Sequence, residues 1–104
     1  MVLLEFSMAP LAKGDSVGEY VARSLKIIAA SGLDYRLHAM GTIIEGELDE
    51  VLAVLRQCLE AMAADCDRIT CTAKLDYRQG HRGRLETKVT SVEEKLGQKL
   101  KTIA

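Results

Sequence analysis

Apolar and polar residues alternate along residues 2–9, a spacing that predicts a β-strand with one buried face. The apolar face carries Val2, Leu4, Phe6 and Met8, and the other carries Leu3, Glu5, Ser7 and Ala9. Pro10 is expected to end this strand, because proline lacks the amide that a continuing ladder needs. The polar segment 13–15 reads as a turn.

Three helices are predicted by apolar residues at helical spacing. The first begins at Ser16, where Ser16 and Glu19 form a capping box, and ends before Gly32. The second runs from Leu48 to about Ala64, with a predicted buried stripe of Val51, Leu52, Leu55, Leu59 and Met62. The third is expected to begin near Ser91 at a second capping box, with Val92, Leu96, Leu100 and Ile103 on its apolar side.

Three further strands complete the pattern. Residues 35–40 and 42–47 flank Gly41 and predict a tight hairpin, with one bent strand as the less favoured alternative, and a last strand spans about 68–78. In that strand Ile69, Cys71, Ala73, Leu75 and Tyr77 face one way, with Cys71 expected in the core. The βαββαβα order predicts a ferredoxin-like α+β sandwich, with a four-stranded antiparallel sheet, in one domain over residues 1–104.

Two helices cover one sheet face in this fold, so the other face is expected to be open. Alternation places Glu5 and Ser7 of the first strand there, with Ile43 and Glu45 of the third. Which alternate residues of 35–40 face this open side, Arg36 and His38 or Tyr35 and Leu37, is left open; we call this choice the parity of the strand. A carboxylate and a hydroxyl on neighbouring strands suit an amino-substituted heterocycle. The same face is also compatible with an ordinary solvated surface or with a face-to-face oligomer.

Composition narrows the function classes. The chain has 104 residues and a net charge of -1, which argues against a general electrostatic nucleic-acid binder. No leader pattern opens the sequence, so a cytoplasmic location is expected. The three cysteines lack CxxC spacing and are expected to be reduced, with no metal site. No nucleophile–base pair stands out, so we expect no catalysis.

A basic cluster lies between residues 78 and 88. It contains Arg78, His81, Arg82, Arg84 and Lys88. Such a run is ordinarily a solvated loop, and anion or RNA contact through Arg78, Arg82 and Arg84 is the alternative. Few aromatic residues accompany it, which disfavours a base-stacking surface.

The segment 35–47, with its Met40-Gly41-Thr42 and Glu45-Gly46 elements, is similar to a signature of the small thiamine-binding-protein family, relatives of the YkoF-type hydroxymethylpyrimidine/thiamine binders. Segments 76–78 and 88–92 resemble its closing elements, whereas Ala39 stands where proline is frequent. The resemblance implies non-catalytic cytosolic binding of thiamine by a homo-oligomer, commonly a tetramer formed as a dimer of dimers. The side chains that we expect to bind such a ligand, from the strand alternation and their chemistry, are Ser7, His38, Thr42, Ile43 and Glu45. A regulatory or scaffolding oligomer without a ligand remains the competing interpretation.

Overall fold

A computed structural model describes residues 1–12, 14 and 18–102. The elements are β1 (Val2–Pro10), α1 (Gly18–Ala30), β2 (Asp34–His38), β3 (Gly41–Gly46), α2 (Leu48–Ala63), β4 (Ile69–Tyr77) and α3 (Arg84–Leu96). The sheet has the order β2-β3-β1-β4, and its neighbouring strands are antiparallel. The ferredoxin-like α+β sandwich is therefore confirmed. The predicted polar turn and first capping box depend on Lys13 and residues 15–17, which lie outside the described residues, as does Ile103.

The core lies between the sheet and the two helices α1 and α2. The alternation predicted for β1 is confirmed, because Val2, Leu4, Phe6 and Met8 all belong to the core cluster. Ile28 of α1, Ile44 of β3 and Val51 of α2 are completely buried against them. Gly32 follows α1 with a φ of 79°, so the predicted left-handed end of this helix is also confirmed.

The predicted buried stripe of α2 is partly wrong. Val51, Val54, Cys58 and Met62 form the buried side, whereas Leu52 and Leu59 are 42% and 43% exposed. Successive residues of a helix are 100° apart, so Leu52 falls on the flank of a stripe that passes through Val51. The prediction of an amphipathic helix is correct, but α2 has more leucine side chains than the sheet can cover.

Helix α3 begins seven residues earlier than predicted, at Arg84 instead of Ser91. The Arg84 amide donates to Oε2 of Glu45 at 3.0 Å, and its guanidinium binds Asp76 of β4. These tertiary contacts anchor the start of the helix on the sheet, so the capping pattern at Ser91 lies inside the helix. The predicted open face is consequently covered at one end, where Leu3 and Glu45 are each only 5% exposed.

Strand β4 is more exposed than its apolar alternation suggests. Its register places Cys71 opposite Met8 of β1, on the helix-facing side of the sheet, yet Cys71 is exposed. The expectation of a core cysteine was wrong because α1 and α2 pack mainly over β1, and only α2 reaches the edge strand, which stays largely uncovered. Among the described residues, no helix has the length and apolar character needed to span a membrane.

A candidate ligand site at the end of the β2–β3 hairpin

The β2–β3 hairpin is shorter than the strand beside it. Pairing between β1 and β3 ends with Phe6 opposite Thr42, whereas pairing between β1 and β4 continues to Pro10 opposite Ile69. Gly41 starts β3 in close approach to β1, since a Cβ there would lie 2.8 Å from the carbonyl oxygen of Phe6. A side chain at this position would therefore push the hairpin away from the central strand.

A cavity of about 330 Å³ occupies the space beyond the hairpin. This size falls at the lower end of the usual range for small-molecule sites. Helix α1 lines it with Val21, Ser24, Leu25 and Ile28. The hairpin contributes residues 37–42, β1 contributes residues 6–9, and β4 contributes Thr70 and Thr72. Most of the wall is apolar, with hydroxyl groups placed at intervals.

The backbone of Met8 faces this cavity. In an antiparallel strand, the N–H and C=O of one residue point to the same side. The Phe6 carbonyl points toward β3. Backbone directions repeat every second residue of a strand, so the N–H and C=O of Met8 also point to the β3 side. Within the described part of the chain, no strand lies opposite them there. Among the described residues, the N–H and C=O of Met8 therefore lie at the cavity wall without a partner strand.

His38 adds a polar side chain whose orientation is fixed. Its Nδ1 accepts a hydrogen bond from the Met40 amide at 3.2 Å, which leaves Nε2 to carry the proton of the neutral ring. The Nε2 atom is buried and lies 3.2 Å from Oε2 of Glu5, without the alignment of a hydrogen bond. Among the described residues it makes no hydrogen bond of good geometry, but it faces the Glu5 carboxylate, so a molecule bound to it would contact it beside that charge.

The structure brings three of the five sequence-predicted ligand residues to this cavity: Ser7, His38 and Thr42. Thr42 pairs with Phe6, on the side of the sheet that faces the helices, whereas Ser7 pairs with Thr72. The open parity of β2 is also resolved, because Arg36 lies opposite Ile43 and therefore shares its face. The cavity reaches both faces of the sheet past the end of β3, so it is not a site on the open face alone.

The other two predicted ligand residues lie elsewhere. Ile43 is on the open face as predicted and lines a smaller cavity of about 140 Å³ with Glu5 and Lys74. Glu45 also has the predicted parity, opposite Leu3, but its carboxylate accepts from the Arg84 amide beneath the start of α3. A carboxylate is well suited to the positive end of a helix dipole, so Glu45 stabilises α3 at that position.

The start of α3 buries one arginine of the basic cluster and leaves others exposed. Arg84 has a side chain that is only 5% exposed, and its guanidinium lies 3.1 Å from Oδ2 of Asp76, which also binds Lys88 at 2.8 Å. The hydrogen bonds from Lys88 and then from Arg84 hold the pKa of the Asp76 carboxyl below its ordinary value. Arg78 and Arg82 are exposed. A shallow cavity of about 350 Å³ lies beside Arg78, His81 and Lys88.

Sequence reasoning missed the contributions of Met8 and α1. Periodicity assigns the Met8 side chain to the core, which is correct, but it says nothing about the free edge of the backbone. The short hairpin was the signal that could have indicated this free edge. Because the hairpin turns at residues 39–40, β3 begins too late to pair with the last residues of the nine-residue strand β1. Among the described residues, no group of histidine, cysteine, aspartate and glutamate side chains is arranged to hold a metal ion.

The fold and the cavity beyond the hairpin (the hairpin cavity) define a small ferredoxin-like α+β class of protein, and comparison with known proteins identifies the family. Residues 4–93 match the sequence profile named thiamine-binding protein, so the chain belongs to that family. A UPF0045 protein of Mycobacterium bovis is 40% identical over 96 residues, covering 91% of this chain and 94% of its own. A UPF0045 protein of Synechocystis is 41% identical over 93 residues, covering 88% and 77%.

Solved structures support the same fold. A hypothetical protein from Methanocaldococcus jannaschii superimposes with a TM-score of 0.82 at 33% identity, covering 89% of this chain and 96% of its own. A domain of unknown function from Bacillus cereus matches with a TM-score of 0.70 at 30% identity, covering 82% and 85%.

Proposed function

We propose that this protein binds thiamine, or a related hydroxymethylpyrimidine, in the hairpin cavity and that it does so without catalysis. The observation that carries the proposal is the free backbone edge of Met8 at the wall of an apolar cavity with hydroxyl groups. Membership of the thiamine-binding protein family supports the choice of ligand. In this proposal residues 1–104 act as one domain.

The pyrimidine ring suits the backbone edge of β1. An aminopyrimidine presents a donor next to an acceptor, which is the pattern that the C=O and N–H of one strand residue complement. The ring would lie between β1 and α1, against apolar side chains such as Leu25 and Ile28. The hydroxyls of Ser7 and Thr42, together with Nε2 of His38, supply further polar contacts.

The cationic thiazolium ring of thiamine is expected to lie toward Glu5. The Glu5 carboxylate is about half exposed and lines the smaller cavity, but it lies 3.2 Å from Nε2 of His38, which lines the hairpin cavity. A carboxylate there attracts a cation without requiring its complete desolvation. Ile43 provides apolar surface beside Glu5, and Glu45 acts indirectly by holding α3.

The proposal includes a cytoplasmic homo-oligomer, a tetramer formed as a dimer of dimers. Large apolar side chains exposed on β4 and α2 support association, since a small domain gains stability by covering them.

Isothermal titration calorimetry tests the binding site. Thr42→Val keeps the side-chain shape and removes the hydroxyl, and Ser7→Ala removes the other. Each is expected to weaken thiamine binding by about 5- to 30-fold, the loss expected for one hydrogen bond to a ligand. Ser91→Ala, beside the basic cavity, is the matched control and should leave the affinity unchanged.

The outcomes separate the competing functions. Wild-type protein that binds neither thiamine nor hydroxymethylpyrimidine would contradict the proposal and favour a scaffolding oligomer. Binding that Ser7→Ala and Thr42→Val leave intact would contradict the site. Salt-dependent RNA binding that Arg78→Ala and Arg82→Ala abolish would instead favour the basic cluster, whose side chains at 78 and 82 are exposed.

A further inference from the structure

Strand β4 is a long edge strand that is exposed on both sides. It has nine residues, and none of them is buried. An uncovered edge of this length can pair with another strand, and proteins ordinarily shorten, twist or cover such an edge. The opposite edge, β2, has only five residues, and its Arg36 is bound to Glu86 of α3. The β2 edge of the sheet is therefore short and partly covered, whereas the β4 edge, within the described part of the chain, has unpaired backbone groups along nine residues.

The backbone of β4 shows which residues would pair. The amide of Leu11 donates to the carbonyl of Arg68, and the amide of Arg78 donates to the carbonyl of Met1. Even-numbered residues of this strand therefore point their backbone groups toward β1. The N–H and C=O groups of the odd-numbered residues, from Ile69 to Tyr77, point outward.

The side chains of the same odd-numbered residues form an apolar strip on the helix-facing side. Leu75 is 43% exposed and Tyr77 is 63% exposed, with Ala73 exposed between Leu75 and Cys71. Helix α2, which contacts β4, adds the exposed side chains of Leu52 and Leu59 in the same layer. Free backbone groups and apolar side chains thus coincide along one edge.

We propose that the occupant of this edge is β4 of a second copy of the chain, paired antiparallel about a two-fold axis at Ala73. The two four-stranded sheets would then become one continuous eight-stranded sheet. This inference supplies an interface for the homo-oligomer in the proposed function and rests on that part of it alone; thiamine binding is not required.

Charge and hydrogen bonding select the position of the axis. An axis at Lys74 or at Asp76 would place like charges directly opposite each other, which is unfavourable. An axis at Leu75 would pair Lys74 with Asp76 twice, but it would overlap only residues 73–77 of each strand. An axis at Ala73 overlaps all nine residues, and the added backbone hydrogen bonds outweigh two exposed ion pairs.

This register also matches large side chains with small ones. Ala73 meets the partner's Ala73 at the axis, and Cys71 meets the partner's Leu75. At each end, Ile69 meets the partner's Tyr77. On the other face, Lys74 lies opposite a threonine hydroxyl, so no like charges are directly opposed.

Sedimentation equilibrium of the full chain, with and without thiamine, tests the interface. Ala73→Glu places two carboxylates at the axis, and Ala73→Lys places two ammonium groups there. Each variant alone is expected to raise the dissociation constant by at least about tenfold, because like charges are juxtaposed. An equimolar mixture of the two should associate again, because opposite charges then meet. Val92→Glu, which changes a 48% exposed residue of α3 outside both the edge strand and the hairpin cavity, is the matched control.

Each outcome has a definite meaning. A monomeric wild-type protein would overturn both the oligomer and this interface, whatever calorimetry shows for thiamine. An oligomer that Ala73→Glu leaves intact would place the interface elsewhere. Recovery of association in the mixture alone would support pairing across a two-fold axis at residue 73 and would rule out misfolding of the single variants.

Discussion

The carboxylate of Glu45 accepts a hydrogen bond from the backbone amide of Arg84 at 3.0 Å, across 39 residues of sequence. The bond is buried, and it joins the third strand of the sheet to the first turn of α3. It explains why α3 starts at Arg84 and why one end of the sheet face is covered. It also gives Glu45 a structural role in a position where a ligand contact was expected.

Replacing Glu45 by alanine is expected to lower the free energy of unfolding by about 1–3 kcal/mol, because the buried Arg84 amide loses its acceptor. Urea denaturation measures this loss. Glu45→Gln retains an acceptor oxygen and should cost less. Thiamine affinity of the folded alanine variant should stay within about threefold of wild type. A larger loss of affinity with unchanged stability would show that Glu45 contacts the ligand.

Replacing Gly41 by alanine is expected to destabilise the protein by about 1–3 kcal/mol, since the new methyl group would overpack against the Phe6 carbonyl. The separation of β3 from β1 should also weaken thiamine binding. Thermal unfolding and calorimetry measure the two effects. Gly18→Ala is the matched control, because no neighbour within the described part of the chain lies within 4 Å of a Cβ at that position, so the stability of this variant should not fall. Equal stability of the two variants would contradict the close approach.

The Asp76 carboxylate predicts a loss of stability in acid. Its pKa is lower in the folded protein than in the unfolded chain, owing to its hydrogen bonds with Lys88 and Arg84. The folded state therefore binds fewer protons, so this stabilisation is complete above the unfolded pKa and disappears as the pH falls through the folded pKa.

Urea denaturation between pH 6 and pH 2 measures the acid effect. Asp76→Asn should be less stable than wild type at pH 6, and the difference should shrink below about pH 4. Glu60→Gln removes an exposed carboxylate that pairs with Arg56 and is the control, expected to change the stability by less than about 1 kcal/mol. A constant difference between Asp76→Asn and wild type across this range would contradict the assignment.

Replacing Glu5 by glutamine is expected to change selectivity between ligands. Thiamine carries a positive charge and hydroxymethylpyrimidine does not. Loss of the carboxylate should therefore reduce the affinity for thiamine by about two- to fivefold more than the affinity for hydroxymethylpyrimidine. Calorimetry with both ligands measures the ratio, with Glu60→Gln as the control. An unchanged ratio would show that the cationic ring does not lie near Glu5.

The sequence predicted the order of the elements because each strand and helix has its own apolar period. It was less successful where a tertiary contact overrides the local pattern, as at Arg84, or where the sheet is wider than the helices that cover it, as at Cys71. Ser7, His38 and Thr42 were found as candidates, and the structure brings them together. The free amide of Met8 was not predictable from side-chain periodicity, because it depends on how far the neighbouring strand extends.

The central claim is that thiamine lies at the free edge of β1 beyond the hairpin. An NMR titration of ¹⁵N-labelled protein with thiamine tests it most directly, through the backbone amide of each residue. We expect the largest shift at the Met8 amide, with smaller shifts at Ser7 and Thr42, and slower hydrogen exchange at Met8 in the complex. Shifts confined to residues 43–45 of the sheet face, or to the basic segment 78–88, would contradict the account.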